Sequence, residues 1–91
     1  MAAIDRISVG QKTLTSTATL IVSARKDREG VELTKLGQRD AYLGCANVTT
    51  TNGHLFAGDC GTTRIYPTTD AIYGVVASGD LVITYLEIFP A

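Results

Sequence analysis

The segment "KTLTSTATLIVSA" sets Leu14, Ser16, Ala18, Leu20 and Val22 against Thr13, Thr15, Thr17 and Thr19. A period of two puts a small or apolar face opposite a threonine ladder, which predicts a half-buried strand. A helix is disfavoured there because β-branched side chains would be stacked with restricted χ1. In "VELTKL", Val31 and Leu33 face one way, Glu32 and Thr34 the other. The "RKDREG" run before it, with alternating charge signs and a closing glycine, reads as a solvated turn.

The same logic carries to the end of the chain. "GQRD" turns into "AYLG", and "TTTNG" leads into "HLF", with Asn52-Gly53 expected to supply positive φ. "AGDCG" separates "HLF" from "TTRIY", which Pro67 ends. "DAIYGVVA" and "LVITYLEI", joined by Ser78-Gly79-Asp80, form the clearest predicted hairpin. Both parities of "LVITYLEI" are apolar, with Leu81, Ile83 and Tyr85 against Val82, Leu86 and Ile88, so this strand is central or its outer face sits in an interface. Asp40-Ala41-Tyr42 with Gly44 is echoed by Asp70-Ala71 with Tyr73-Gly74, which we read as two similar strand starts. No stretch has helical period. The expected fold is all-β, a small antiparallel β-sandwich or jelly roll of seven to eight short strands, forming one domain over residues 1–91 with 1–9 an N-terminal arm or edge strand.

Composition changes this picture little and narrows function more. A chain of 91 residues, 45% hydrophobic and 19% charged, builds a thin core, so a partner or oligomer that buries more surface would stabilise it. A net charge of -1 gives no drive toward phosphate backbones or anionic lipid, so no nucleic-acid partner is expected. Asp5 and Arg6 fall where a signal peptide needs apolar residues, and "ATLIV" is too short to span a bilayer. The expectation is a chain made in the cytoplasm, with no membrane partner.

Candidate chemistry comes to little. Cys45 or Cys60 with His54 and Asp59 or Asp40 has the residue types of a thiol nucleophile, a base and an orienting group, without any cysteine motif around either thiol. The alternative makes both cysteines small buried hydrophobes with free thiols and His54 a strand-edge residue. One His and two distant Cys make no closed zinc set, and Asp5, Asp27, Asp40, Asp59, Asp70 and Asp80 are spaced as turn residues rather than as a Ca²⁺ loop. The glycines form no phosphate-cradling loop, and Asn47-Val48-Thr49 matches a glycosylation triplet without a secretory signal. No cofactor, metal or enzymatic activity is expected. Tyr42, Tyr66, Tyr73 and Tyr85 leave a carbohydrate-binding β-module as an alternative.

Residues 31–87, with "YLG", "VTTTNG", a leucine-containing segment closed by glycine, "AIYG" and a final "SG" hairpin, resemble a small β-module of tailed-bacteriophage virion proteins. The order and spacing of these motifs carry the resemblance. It departs at Ala57-Gly58, where the module often has proline before glycine, and at Cys45 and Cys60, which lie outside the pattern. The resemblance implies a virion structural protein on the capsid surface, foremost a head decoration (cement) protein whose partner is the major capsid protein of the shell. It leaves a neck, collar or tail-fibre module as the alternative position, and the thin core, nearly neutral charge and two-sided apolar final strand lead us to expect a homo-oligomer, with a trimer at capsomer junctions favoured. Contact residues are then sought at the two ends of the chain. Ile4, Ile7 and Val9 lie in a segment suited to strand addition, and Ile88 and Phe89 in "EIFPA" are costly to leave wet unless they pack on the chain's own sandwich.

Overall fold

A computed structural model describes residues 7–90, all of them strand, turn or loop. Eight strands follow one another: β1 (Ile7–Leu14), β2 (Thr19–Val22), β3 (Gly30–Lys35), β4 (Ala41–Gly44), β5 (His54–Phe56), β6 (Thr63–Tyr66), β7 (Ile72–Val76) and β8 (Leu81–Ile88). They form two four-stranded sheets, sheet A with order β1-β8-β3-β6 and sheet B with order β2-β7-β4-β5. Every pairing is antiparallel.

The pairs nest about the β4–β5 loop: β4 with β5, β3 with β6, β2 with β7, β1 with β8. This long ribbon rolls up so that β3 also meets β8 and β4 meets β7, which is the jelly-roll arrangement of two Greek keys. The all-β expectation is met, with β8 central in sheet A as its two apolar parities require. The echoed segments open β4 and β7, which are paired neighbours with Leu43 opposite Gly74.

Two expected elements are corrected. The predicted β7–β8 hairpin is a connection between sheets: β7 pairs with β2 and β4, β8 with β1 and β3. Gly79 at φ 70 makes the tight turn either way, but the apolar faces of both strands are buried only if they oppose one another across the core. The threonine-rich segment is not one strand either. The chain leaves sheet A after Leu14, the Thr15 carbonyl accepts from Val76 N–H of sheet B at 3.0 Å, and Thr17 N–H donates to the Thr15 hydroxyl at 3.2 Å. Threonines that alternate on paper therefore make the corner between sheets through local side-chain bonds. In β2 the register shifts between Leu20 and Val22, and the adjacent Ile21 and Val22 are both buried.

The core lies between the sheets, with Leu14, Val31, Leu33, Leu81 and Ile83 from sheet A against Ile21, Val22, Ala41, Leu43, Phe56, Ile72 and Val76 from sheet B. The sheets approach closely at Gly74, where an added Cβ would fall 2.8 Å from a Leu14 methyl. At one end of this core sits a charge the sequence placed in solvent. Arg28, within the predicted solvated turn, has its side chain fully buried, and its guanidinium donates to the Ser23, Thr68 and Asp70 carbonyls and to Glu87 Oε2 at 2.9 Å. Arg25 adds a second guanidinium 3.4 Å from the same carboxylate oxygen. Desolvation makes burying such a pair expensive unless its hydrogen-bonding groups are satisfied, and here the arginine ties the β2–β3 and β6–β7 connections to β8. At the other end Lys35 is fully buried on the core face of β3, its Nζ donating to the Gly58 carbonyl at 2.7 Å with Asp40 at 4.0 Å.

Candidate contact surface

The residues that suggested catalysis do not converge. Cys45 follows β4 and Cys60 lies in the β5–β6 turn, so the short β5 stands between the two loops that carry them, and both are free and exposed. The expectation of buried cysteines is thereby corrected, because turn residues outside the ladders have no inward face. His54 begins β5, an edge strand, as the strand-edge reading had it, and its ring meets Tyr66 edge-on at 6.4 Å. Among the described residues no hydrogen bond or ion pair joins it to Asp59 or a thiol, and no group of three His, Cys, Asp or Glu side chains is placed to hold a metal ion.

His54 and Tyr66 border a small apolar cleft of about 260 Å³ with Leu43, Pro67, Thr68 and Ile72. The Tyr66 hydroxyl is buried without a hydrogen-bond partner, and desolvation raises its pKa above 10.0, with Arg64 pulling it part of the way back. A cleft of this size lies just below the usual range for small-molecule sites. Positive φ, expected at Asn52-Gly53, occurs instead at Gly58, Gly61 and Gly79. The loop before β5 is held by side chains: Thr49 N–H donates to Asn52 Oδ1 at 2.8 Å, while the Thr49 hydroxyl accepts from the N–H groups of Thr51 and Asn52. Gly53 is needed for close approach, since a Cβ there would sit 2.6 Å from Cβ of Tyr42.

The outer faces offer more. In sheet A the alternation that buries Val31, Leu33, Leu81 and Ile83 turns Glu32, Thr34, Val82, Thr84, Leu86 and Ile88 outward. Register aligns Val9, Leu86, Glu32 and Ile65 in one row across all four strands, an apolar row broken by one carboxylate. Val9 is 65% exposed and Ile65 61% exposed. The adjacent row is Gln11, Thr84, Thr34 and Thr63, with the Thr34 and Thr63 hydroxyls 2.8 Å apart. Shallow grooves of about 360 Å³, between Val9 and Leu86 on one side and Glu32 and Thr34 on the other, and of about 190 Å³, beside Ile65, Pro67 and Ile88, run over this face.

Of the contact residues sought at the chain ends, Val9 and Ile88 lie on this face. Ile7 opens β1 opposite Ile88, so the segment 7–9 is sheet rather than a detached arm, and Ile4 lies outside the described residues. Phe89 is half-buried beneath the Arg25 guanidinium, 5.5 Å from its ring centroid. Ile65 and Leu86 were not among the contact residues sought, although "TRIY" and "LVITYLEI" carry them on the parity opposite Tyr66 and Tyr85. A comparison with family models, with curated proteins and with solved structures finds no match to this chain.

Proposed function

We propose that the protein is a virion structural protein of a tailed bacteriophage, a head decoration protein that seats on the assembled capsid shell. The observation that carries this reading is the outer face of sheet A, where Val9 and Ile65 stand exposed at the two ends of one row. Leaving such a face wet gains nothing for the isolated chain, whereas covering it on a shell contributes burial in the assembled state alone. The resemblance over residues 31–87 supplies the class of partner, and the scattered thiols and histidine supply no competing chemistry. The half-buried setting of all four tyrosines lends no stacking platform to the carbohydrate alternative.

Quantitative mass spectrometry of purified particles from the source tests the reading. A copy number comparable to that of the major shell protein is expected. A few copies per particle would move the protein to a collar or fibre position, and none would overturn the virion reading.

A further inference from the structure

The two sheets have four edge strands, and only one of them is long. β6 and β2 have four residues each and β5 three, with Pro67 closing β6 and a register shift interrupting β2. β1 runs eight residues, pairs with β8 without a register shift, contains no proline and carries a single charge, Lys12. Of the devices by which natural edges avoid pairing it has one lysine, and it lacks shortness, proline and a bulge.

Which of its backbone groups are free follows from the ladder. Leu36 N–H donates to the Val82 carbonyl, so Val82 and, by alternation, Thr84 and Leu86 turn their backbone groups toward β3. Leu81, Ile83, Tyr85 and Glu87 then face β1 and bond its Leu14, Lys12, Gly10 and Ser8. Val9, Gln11 and Thr13 are left with N–H and C=O groups pointing away from the sheet, and no described strand pairs with them. Beyond Thr13 the edge closes, because the Thr15 carbonyl is already bonded to Val76.

We propose that β1 is a self-pairing edge: two copies of the chain join β1 to β1 in antiparallel register about a twofold axis through Gln11. Gln11 then faces Gln11 of the second copy, and Val9 faces Thr13 in both directions. Every free N–H and C=O of the three residues acquires a partner. Lys12 faces Gly10, so the strand's only charge never opposes itself, and the Gln11 side-chain amides, each both donor and acceptor, meet on the axis. This self-complementarity selects a second copy over an unrelated strand, and a net charge of -1 sets up little repulsion between copies. The product is one continuous eight-stranded sheet that doubles the open outer face. The inference stands apart from shell binding and differs from the trimer expected from the sequence.

Sedimentation analysis up to millimolar concentration, with amide hydrogen exchange, tests it. The wild-type chain is expected at twice its monomer mass, with the Val9, Gln11 and Thr13 amides protected. Gln11→Pro removes an N–H that bonds only the second copy, and Gln11→Lys places like charges on the axis while keeping every backbone group. Both variants are expected to halve the mass and lose protection at Val9 and Thr13, while Gly10 and Lys12 stay protected by β8 and the circular dichroism is unchanged. A wild-type monomer with those amides unprotected, a trimer, or a dimer indifferent to Gln11→Lys would each overturn the proposal.

Discussion

The outer faces of the two sheets are finished in different ways. Sheet B is partly covered by its own chain: the loop between β4 and β5 folds back so that Val48 is buried over Gly44 and Gly53, and Val75, opposite Tyr42, is 3% exposed, while Leu55 on the edge strand β5 stays 48% exposed. No described loop folds over sheet A, and its row from Val9 to Ile65 ends in side chains more exposed than Leu55. A small domain has few residues to spend on covering surfaces. Where it covers more of one sheet than of the other, the barer one is where a partner adds most.

The largest expected effect removes the contrast altogether by loosening the end where both sheets meet. Arg28→Ala strips Glu87 of its closest partner and leaves three carbonyls without their donor, and should cost about 3–5 kcal/mol in urea unfolding. An intact midpoint would mean that Arg25 alone holds that end. On the covered face, Gly53→Ala forces a methyl against Tyr42 and the Thr49 carbonyl and should cost about 1–3 kcal/mol by the same measurement. No loss there would mean that the loop is not seated on sheet B.

Tyr66→Phe acts between the sheets. It removes a buried hydroxyl without a partner and should raise stability by up to about 1 kcal/mol. It also predicts a pH dependence. The hydroxyl titrates higher in the folded chain than in the unfolded one, so its contribution is complete below pH 10.0 and is lost as pH rises from there through the folded pKa. Unfolding on either side of pH 10.0 should show the wild type losing more stability than Tyr66→Phe. Equal losses would remove desolvation as the cause.

The smallest effect on stability belongs to the open face. Ile65→Thr, at an exposed strand position, should change unfolding by no more than about 0.5 kcal/mol. Shell binding, measured as co-sedimentation with particles stripped of this protein, should weaken by roughly tenfold if Ile65 is an anchor of the contact. A variant that unfolds early, or binds as well as the wild type, would erase the difference between the two faces.

Much of the fold was legible along the chain. The inward positions Val31 and Leu33 of β3, the strand character of "AYLG", "HLF" and "LVITYLEI" and the stop at Pro67 were each carried by local pattern. The buried cations were not. Lys35 shares the parity of Val31 and Leu33, but a lysine on that parity is ordinarily read as exposed, and only the Gly58 carbonyl, brought near by the β5–β6 turn, explains its place. Arg28 read as part of a solvated run because its partners Thr68, Asp70 and Glu87 lie 40 or more residues away. The open face was half visible, through the two apolar parities of "LVITYLEI", while Ile65 joined it only by register with Glu32.

By itself the sequence determined that the chain makes short strands, where most of them turn, and that Val31 and Leu33 of β3 point inward. Those properties depend on side-chain alternation and on glycine and proline, which act within a few residues. Tertiary structure decided which strands share a sheet. A period of two says that a face must be buried without saying against what, and Ser78-Gly79-Asp80 serves a hairpin or a crossing equally well. The choice was made by pairing Ile7 with Ile88 and Leu14 with Leu81, contacts whose gain appears only when the whole ribbon has rolled up around one core.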